Sequence, residues 1–315
     1  MSLAARADNF AAIVRRGNMY TGSRVGERSA GHIKGVWHEL GGEAGTRTIG
    51  VRRIEIAPDH FSTPAHQHGV EEEIFFVLSG EGLLWQDGET YRLAPGDCVV
   101  HRPLRGVHTL RAGEGGLDVL AFGQRLDPAL TALPRAGIAW SGPRWLELGT
   151  GVGPFEQEAE VGPPECPKPS EDRPANVVSI EEAPAAFGGR MHALARAAGA
   201  RATGLNHVKL AAGESGAPAH CHSLEEEAFV VLGGDGVIEL WERGEREEHS
   251  LAEGDVIACP AGSGVAHAFR AGQSGLIYLA YGTREPGDMC FYPERGRVSL
   301  RGLGIALSVT DVDYL

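Results

Sequence analysis

The sequence predicts an all-β protein built from two copies of one domain, and three observations carry that prediction. At 315 residues the chain exceeds the size at which a single hydrophobic core stops growing. Its apolar residues come in short blocks such as RRIEIAP, EIFFVLSG and GLIYLAYG, bounded by Gly, Pro, Asp and Glu, which is how short strands in a sandwich or barrel read. The chain also matches itself when slid by 154 residues.

The self-match orders the elements. PAHQHGVEEEIFFVLSGEG (Pro64 to Gly82) falls on PAHCHSLEEEAFVVLGGDG (Pro218 to Gly236), and upstream Leu40 to Gly50 falls on Leu194 to Gly204 without a gap. Four more residues sit in the next hairpin of the second copy, so Leu93 to Asp97 pairs with Leu251 to Asp255; extra turn residues cost little. From His108 the shift is 159, placing Gly116 to Arg125 on Gly275 to Arg284. The repeat is therefore a whole domain, with expected boundaries of 31–150 and 181–315. Residues 1–30 form an N-terminal arm without a counterpart, and 151–180, rich in Pro (GPPECPKPSEDRP), form an extended linker. Asp87-Gly88 marks a hairpin turn.

Composition narrows the function. The net charge of −13 disfavours nucleic acid and anionic lipid as partners, and no apolar run is long enough for a membrane span or shaped like a signal peptide. Five scattered cysteines without a C-x-x-C pair argue against a disulfide framework and for a reducing cytoplasm.

The chemistry lies in a constellation that occurs twice. His66 and His68, two apart on an extended segment, project to one face; Glu73 follows, and His108 arrives after a turn. The second copy has His220, His222, Glu227 and His267 in the same places, while neighbours drift. Three imidazoles and a carboxylate suit a divalent Fe, Mn, Ni, Co or Zn ion with positions left open, so up to two ions per chain are expected. Arg52 and Asn206 share the alternation face of Ile54, Ile56 and of Val208, Leu210, which makes them candidates for substrate contact inside each barrel. Glu71, Glu72 and their copies Glu225, Glu226 read as solvated turn charges, Gly80-Glu81-Gly82 as a turn, and Cys221, between two ligands, as a packing residue pointing away from them.

The motif H-x-H-x4-E-x6-G, as His66, His68, Glu73, Gly80 and again as His220, His222, Glu227, Gly234, resembles the cupin superfamily, specifically its two-domain bicupins. The second cupin motif survives as Gly254, Pro260, Gly262 and His267, and in the first copy as Gly96, Pro103, Gly106 and His108; its final Asn is replaced by Ala112 and Ala271. The resemblance covers roughly residues 40 to 149 and 194 to 308 and implies two double-stranded β-helix (jelly-roll) barrels, pseudo-two-fold related, with a metal in each mouth. It implies a metal-dependent enzyme, an oxygenase or related lyase, acting on a small polar or anionic metabolite. Rival readings are a non-catalytic small-ligand binder and a metal-dependent hydrolase or isomerase. A homo-oligomer is compatible with this reading.

Overall fold

A computed structural model describes residues 16–21, 24–141, 144–145, 153–242 and 244–309; the first half of the arm, 1–15, and the C-terminal 310–315 lie outside the described residues. Each copy folds into an eight-stranded and a four-stranded antiparallel sheet. In the first, the long strands Glu73–Gln86 and His108–Gln124 pair along their length, flanked by Cys98–His101 on one side and Ile49–Ile56 on the other. In the second, Glu227–Glu242 and Ala266–Thr283 take the same places, with Asp255–Cys259 and Thr203–Leu210 beside them. The smaller sheets join Gln67–His68 to Leu130–Leu133, and Cys221–His222 to Met289–Tyr292. No helix among the described residues is long and apolar enough to cross a membrane.

Local sequence accounts for the strand geometry. Asp87 and Gly88 both take positive φ, 52° and 91°, the pair of left-handed residues that a two-residue hairpin turn demands. The motif glycines Gly80 and Gly234 do not make turns, contrary to the reading from sequence. They sit inside the long strands at a break in register, with φ of 82° and 81°. A Cβ there would also run into the carbonyl oxygen of Gly116 or Gly275, so only glycine fits this bulge.

The strands are apolar on both faces because each face has a separate core. Phe75, Val77, Val119 and Ile54 pack inside the first barrel, and Phe229, Val231, Ile257 and Phe269 inside the second. The alternate residues Ile74, Phe76, Leu120 and Phe122 meet Ala228, Val230, Leu279 and Tyr281 in a third core between the barrels. Phe122 and Tyr281, which occupy equivalent positions, touch with ring centroids 5.0 Å apart, as residues near a pseudo-two-fold axis must.

Two further features join the copies. Arg16–Asn18, ahead of the first barrel, pairs with Asp255–Ile257 of the second, while Val177–Val178, ahead of the second, pairs with Cys98–Val99 of the first. Each barrel thus lends its leading strand to the other. The carboxylates supply the second device. Glu72, buried, accepts N–H bonds from Arg201, Ala202 and Thr203 at 2.7–3.0 Å and the Thr203 hydroxyl at 2.9 Å. Glu226, equally buried, accepts the N–H groups of Arg47 and Thr48 and the Thr48 hydroxyl at 2.5–2.7 Å. These are not solvated turn charges: a buried carboxylate survives only where donors surround it, and the donors come from the other copy. The Pro-rich segment contains a short helix, Pro154–Val161, started by Pro at its first position, and then runs extended against the first barrel, where Trp85 Nε1 donates to the Glu165 carbonyl at 2.8 Å.

Candidate metal centres

Backbone pairing brings the four candidate ligands of each copy together. His66 bridges to His108, and His220 to His267, across neighbouring segments, while Glu73 and Glu227 open the long central strands. In the first barrel the Nε2 atoms of His66, His68 and His108 converge on Glu73 Oε2 at 3.5, 3.4 and 3.0 Å. In the second, those of His220, His222 and His267 lie 3.8, 3.6 and 3.1 Å from Glu227 Oε2.

The opposite edges of the rings fix their orientation. Nδ1 of His66 faces the Pro64 carbonyl at 2.9 Å, that of His108 the Gly106 carbonyl at 3.2 Å, and that of His220 the Pro218 carbonyl at 2.8 Å. A carbonyl only accepts, so each Nδ1 carries a proton and Nε2 is the atom each ring turns inward, that of His108 to 3.0 Å from Glu73 Oε2. Nε2 of His68, His222 and His267, and Oε2 of Glu227, are buried without a hydrogen bond among the described residues. Buried, convergent and unsatisfied donor atoms of this kind fit a divalent ion.

Charge within the clusters follows the same logic. Burial alone would raise the Glu73 carboxyl, but His68, His108 and His66 outweigh it and hold it well below the ordinary carboxylate range. Glu227 is likewise brought down to about 2: burial opposes, and His267, His222 and His220 prevail. Burial also acts against a charged His68, yet Glu73 and Glu71 lift it to about 10, and His222 rises to about 9 against burial through Cys290, Glu227 and Asp288. Burial and neighbouring imidazoles instead lower His108 and His220 to about 4. In the metal-free protein, then, His68 and His222 favour the imidazolium beside their carboxylates.

Several residues around the clusters carry no motif. Asp288, buried, accepts from His222 Nδ1 at 2.7 Å and from the Leu224 and Glu225 N–H groups at 3.0 and 3.3 Å. Its place in the first copy is held by Ala129, and there His68 Nδ1 meets Glu71 at 3.2 Å and Thr131 at 3.3 Å instead. His101 stacks flat on His108, centroids 3.5 Å apart, with neither ring nitrogen hydrogen-bonded among the described residues; burial first, then His108, keep it neutral. Its counterpart is Cys259. Glu225 is no more solvated than Glu226: it is buried and takes Arg301 and the Glu285 N–H. Cys221 packs with Ala219 and Ala266, and burial pushes its thiol up to about 11.

The mouths differ. The first cluster opens into a cleft of about 640 Å³, on whose wall Arg52 stands beside Thr131 and Trp140. Arg52 is ion-paired to Glu39 at 3.0 Å. Arg28 lines the same cleft, its guanidinium 5.2 Å from the Trp37 ring and 4.6 Å from that of Phe155. Over the second cluster Tyr292 stacks on His220, centroids 5.8 Å apart, and the His222 side chain is 2% exposed against 16% for His68. Asn206 lies on the face shared with Val208 and Leu210, in the strand Thr203–Leu210.

Comparison with known proteins agrees with this architecture. The model of the Cupin domain matches residues 52–119 and again 206–279, each segment containing an H-x-H-x4-E motif and its third histidine. The chain is a bicupin. Among solved structures similar to it are an oxalate decarboxylase of Bacillus subtilis, described with Mn(II) centres, and an oxalate decarboxylase of Lactobacillus farciminis, described as a formate complex. The first is 12% identical, with TM-score 0.58 over 87% of this bicupin and 78% of that chain. The second is 14% identical, with TM-score 0.58 over 88% of both chains. At such identity the likeness is one of fold. No curated protein matches this bicupin.

Proposed function

We propose that this bicupin is a metal-dependent enzyme, a lyase of the decarboxylase kind, that acts on a small anionic metabolite in the first barrel. The observation that carries the reading is the convergence of three imidazole Nε2 atoms on one carboxylate oxygen at the floor of an open cleft. His66, His68, His108 and Glu73 would hold the ion there, and His220, His222, Glu227 and His267 a second one. A bound divalent ion supplies a Lewis acid that polarises a substrate oxygen and stabilises developing negative charge.

The remaining work falls to this chain. Arg52 and Arg28 on the cleft wall give an incoming carboxylate two cationic groups in a protein whose net charge would otherwise repel it. Trp37, Trp140 and Phe155 narrow the cleft and exclude water around the bound group. The decarboxylases that share the fold support the lyase reading over an oxygenase. The test is to load the full chain with Mn²⁺ or, anaerobically, Fe²⁺, and follow carbon dioxide release and oxygen uptake over a panel of small carboxylates. Stoichiometric release without net oxygen consumption is expected, with Arg52→Ala raising KM by about tenfold. Oxygen consumed mole for mole would make the enzyme an oxygenase, and no turnover by either metal form would leave a ligand-binding protein.

A further inference from the structure

The two metal clusters are not chemically equal, and the difference lies one strand away from the histidines. In the first barrel Thr131 stands opposite His68 in the register of the small sheet; in the second, the residue opposite His222 is Cys290. Cross-strand partners put their side chains on one face, so Cys290 points where His222 points. Its sulfur and one ring nitrogen of each of His220 and His222 lie within 4.8 Å of one another, close enough to share one ion. Cys290 is buried and unpaired in any disulfide, and His222 Nε2 is itself buried without a hydrogen bond among the described residues. Thr131 serves as a partner of His68 Nδ1, at 3.3 Å, but that duty is discharged in the second barrel by Asp288. The thiol is therefore not needed to orient His222 and stands beside two of the four candidate ligands.

We propose that Cys290 Sγ is a ligand of the ion in the second barrel, so that this site takes a thiophilic divalent ion such as Zn²⁺, Co²⁺ or Cd²⁺, while the first, with only nitrogen and oxygen donors, takes a harder one. On ligation the thiol passes its proton to water and the sulfur forms the new bond; no oxidant is needed. The inference rests on the reading of His220, His222, Glu227 and His267 as a metal site. It makes the second barrel the holder of a thiolate-ligated ion beside a first site without sulfur.

Cobalt-loaded full-length protein tests this. The wild type should bind two Co²⁺ per chain and show one thiolate-to-cobalt charge-transfer band in the near ultraviolet. Cys290→Thr, which installs the residue of the first barrel, should abolish the band, keep the ligand-field bands, and weaken Cd²⁺ binding at one site on the order of 10-fold. Cys221→Ser should retain the band. Cadmium NMR of the wild type reports independently of any variant: one sulfur-ligated resonance and one without sulfur are expected. Two bound cobalt ions with no charge-transfer band, or a band that survives Cys290→Thr, overturns the role of Cys290 and leaves the metal reading intact. Failure of the second barrel to bind cobalt at all overturns both.

Discussion

His68 carries the clearest residue-level consequence. Glu73 and Glu71 raise it to about 10 when the site holds no ion, so below that pH an ion must displace a proton to reach Nε2. His222, raised to about 9, puts the second site under the same constraint. Metal affinity should accordingly climb as pH rises from 6 towards 9, with about one proton released at the first site at neutral pH and about one more than that at the second if Cys290 ligates. Calorimetry in buffers of different ionisation enthalpy reads that proton directly; binding without proton release would show that the imidazoles are already neutral. Asp288 acts one bond further out. Asp288→Asn should cost 10- to 100-fold, roughly, in affinity at the second site and leave the first unchanged, as followed by competition with a chelator. The eight candidate ligands could be picked out in the sequence because duplication singled them out against drifting neighbours, whereas Asp288 could not: its counterpart is Ala129, so the repeat hides it. His101 was invisible for the same reason, standing against Cys259.

At the scale of elements, the segment that supplies Glu73 also supplies the clamp between domains. Glu72 and Glu73 are adjacent and point opposite ways, one into the other copy and one into the barrel, as alternation along extended chain requires. Glu72→Ala would strand the N–H groups of Arg201, Ala202 and Thr203 in a buried interface. A loss of about 3 kcal/mol in urea unfolding is expected, against no measurable change for the exposed Glu181→Ala. An equal response of the two variants would mean that the clamp contributes nothing. The acidic run misleads in sequence because three consecutive carboxylates look like a solvated turn; what buries the second is a neighbour 129 to 131 residues away. Strand periodicity fared better, since Phe75 and Val77 against Ile74 and Phe76 sort correctly into two cores.

For the whole molecule, the shared core and the exchanged strands make the barrels one folding problem. Fragments 1–160 and 175–315 would each expose the face of Phe76 and Phe122, or of Val230 and Tyr281, and each would lose a strand partner from its edge. Expressed apart they should be poorly soluble or self-associating, and co-expression should restore a soluble complex; two well-behaved monomers would contradict the shared interface. Pseudo-symmetry was legible because both faces of IFFVL and FVVL are apolar, but strand exchange was not, since three-residue and two-residue strands leave no periodic trace. The central claim, that each barrel holds its own divalent ion on three histidines and a glutamate, is tested most directly by metal content per chain. Full-length protein grown with excess Mn²⁺ should carry two ions, and one ion after His66, His68 and His108 are changed to Ala and Glu73 to Gln, or after the matching changes in the second barrel. A wild-type protein with a single ion, unmoved by losing either ligand set, would contradict it.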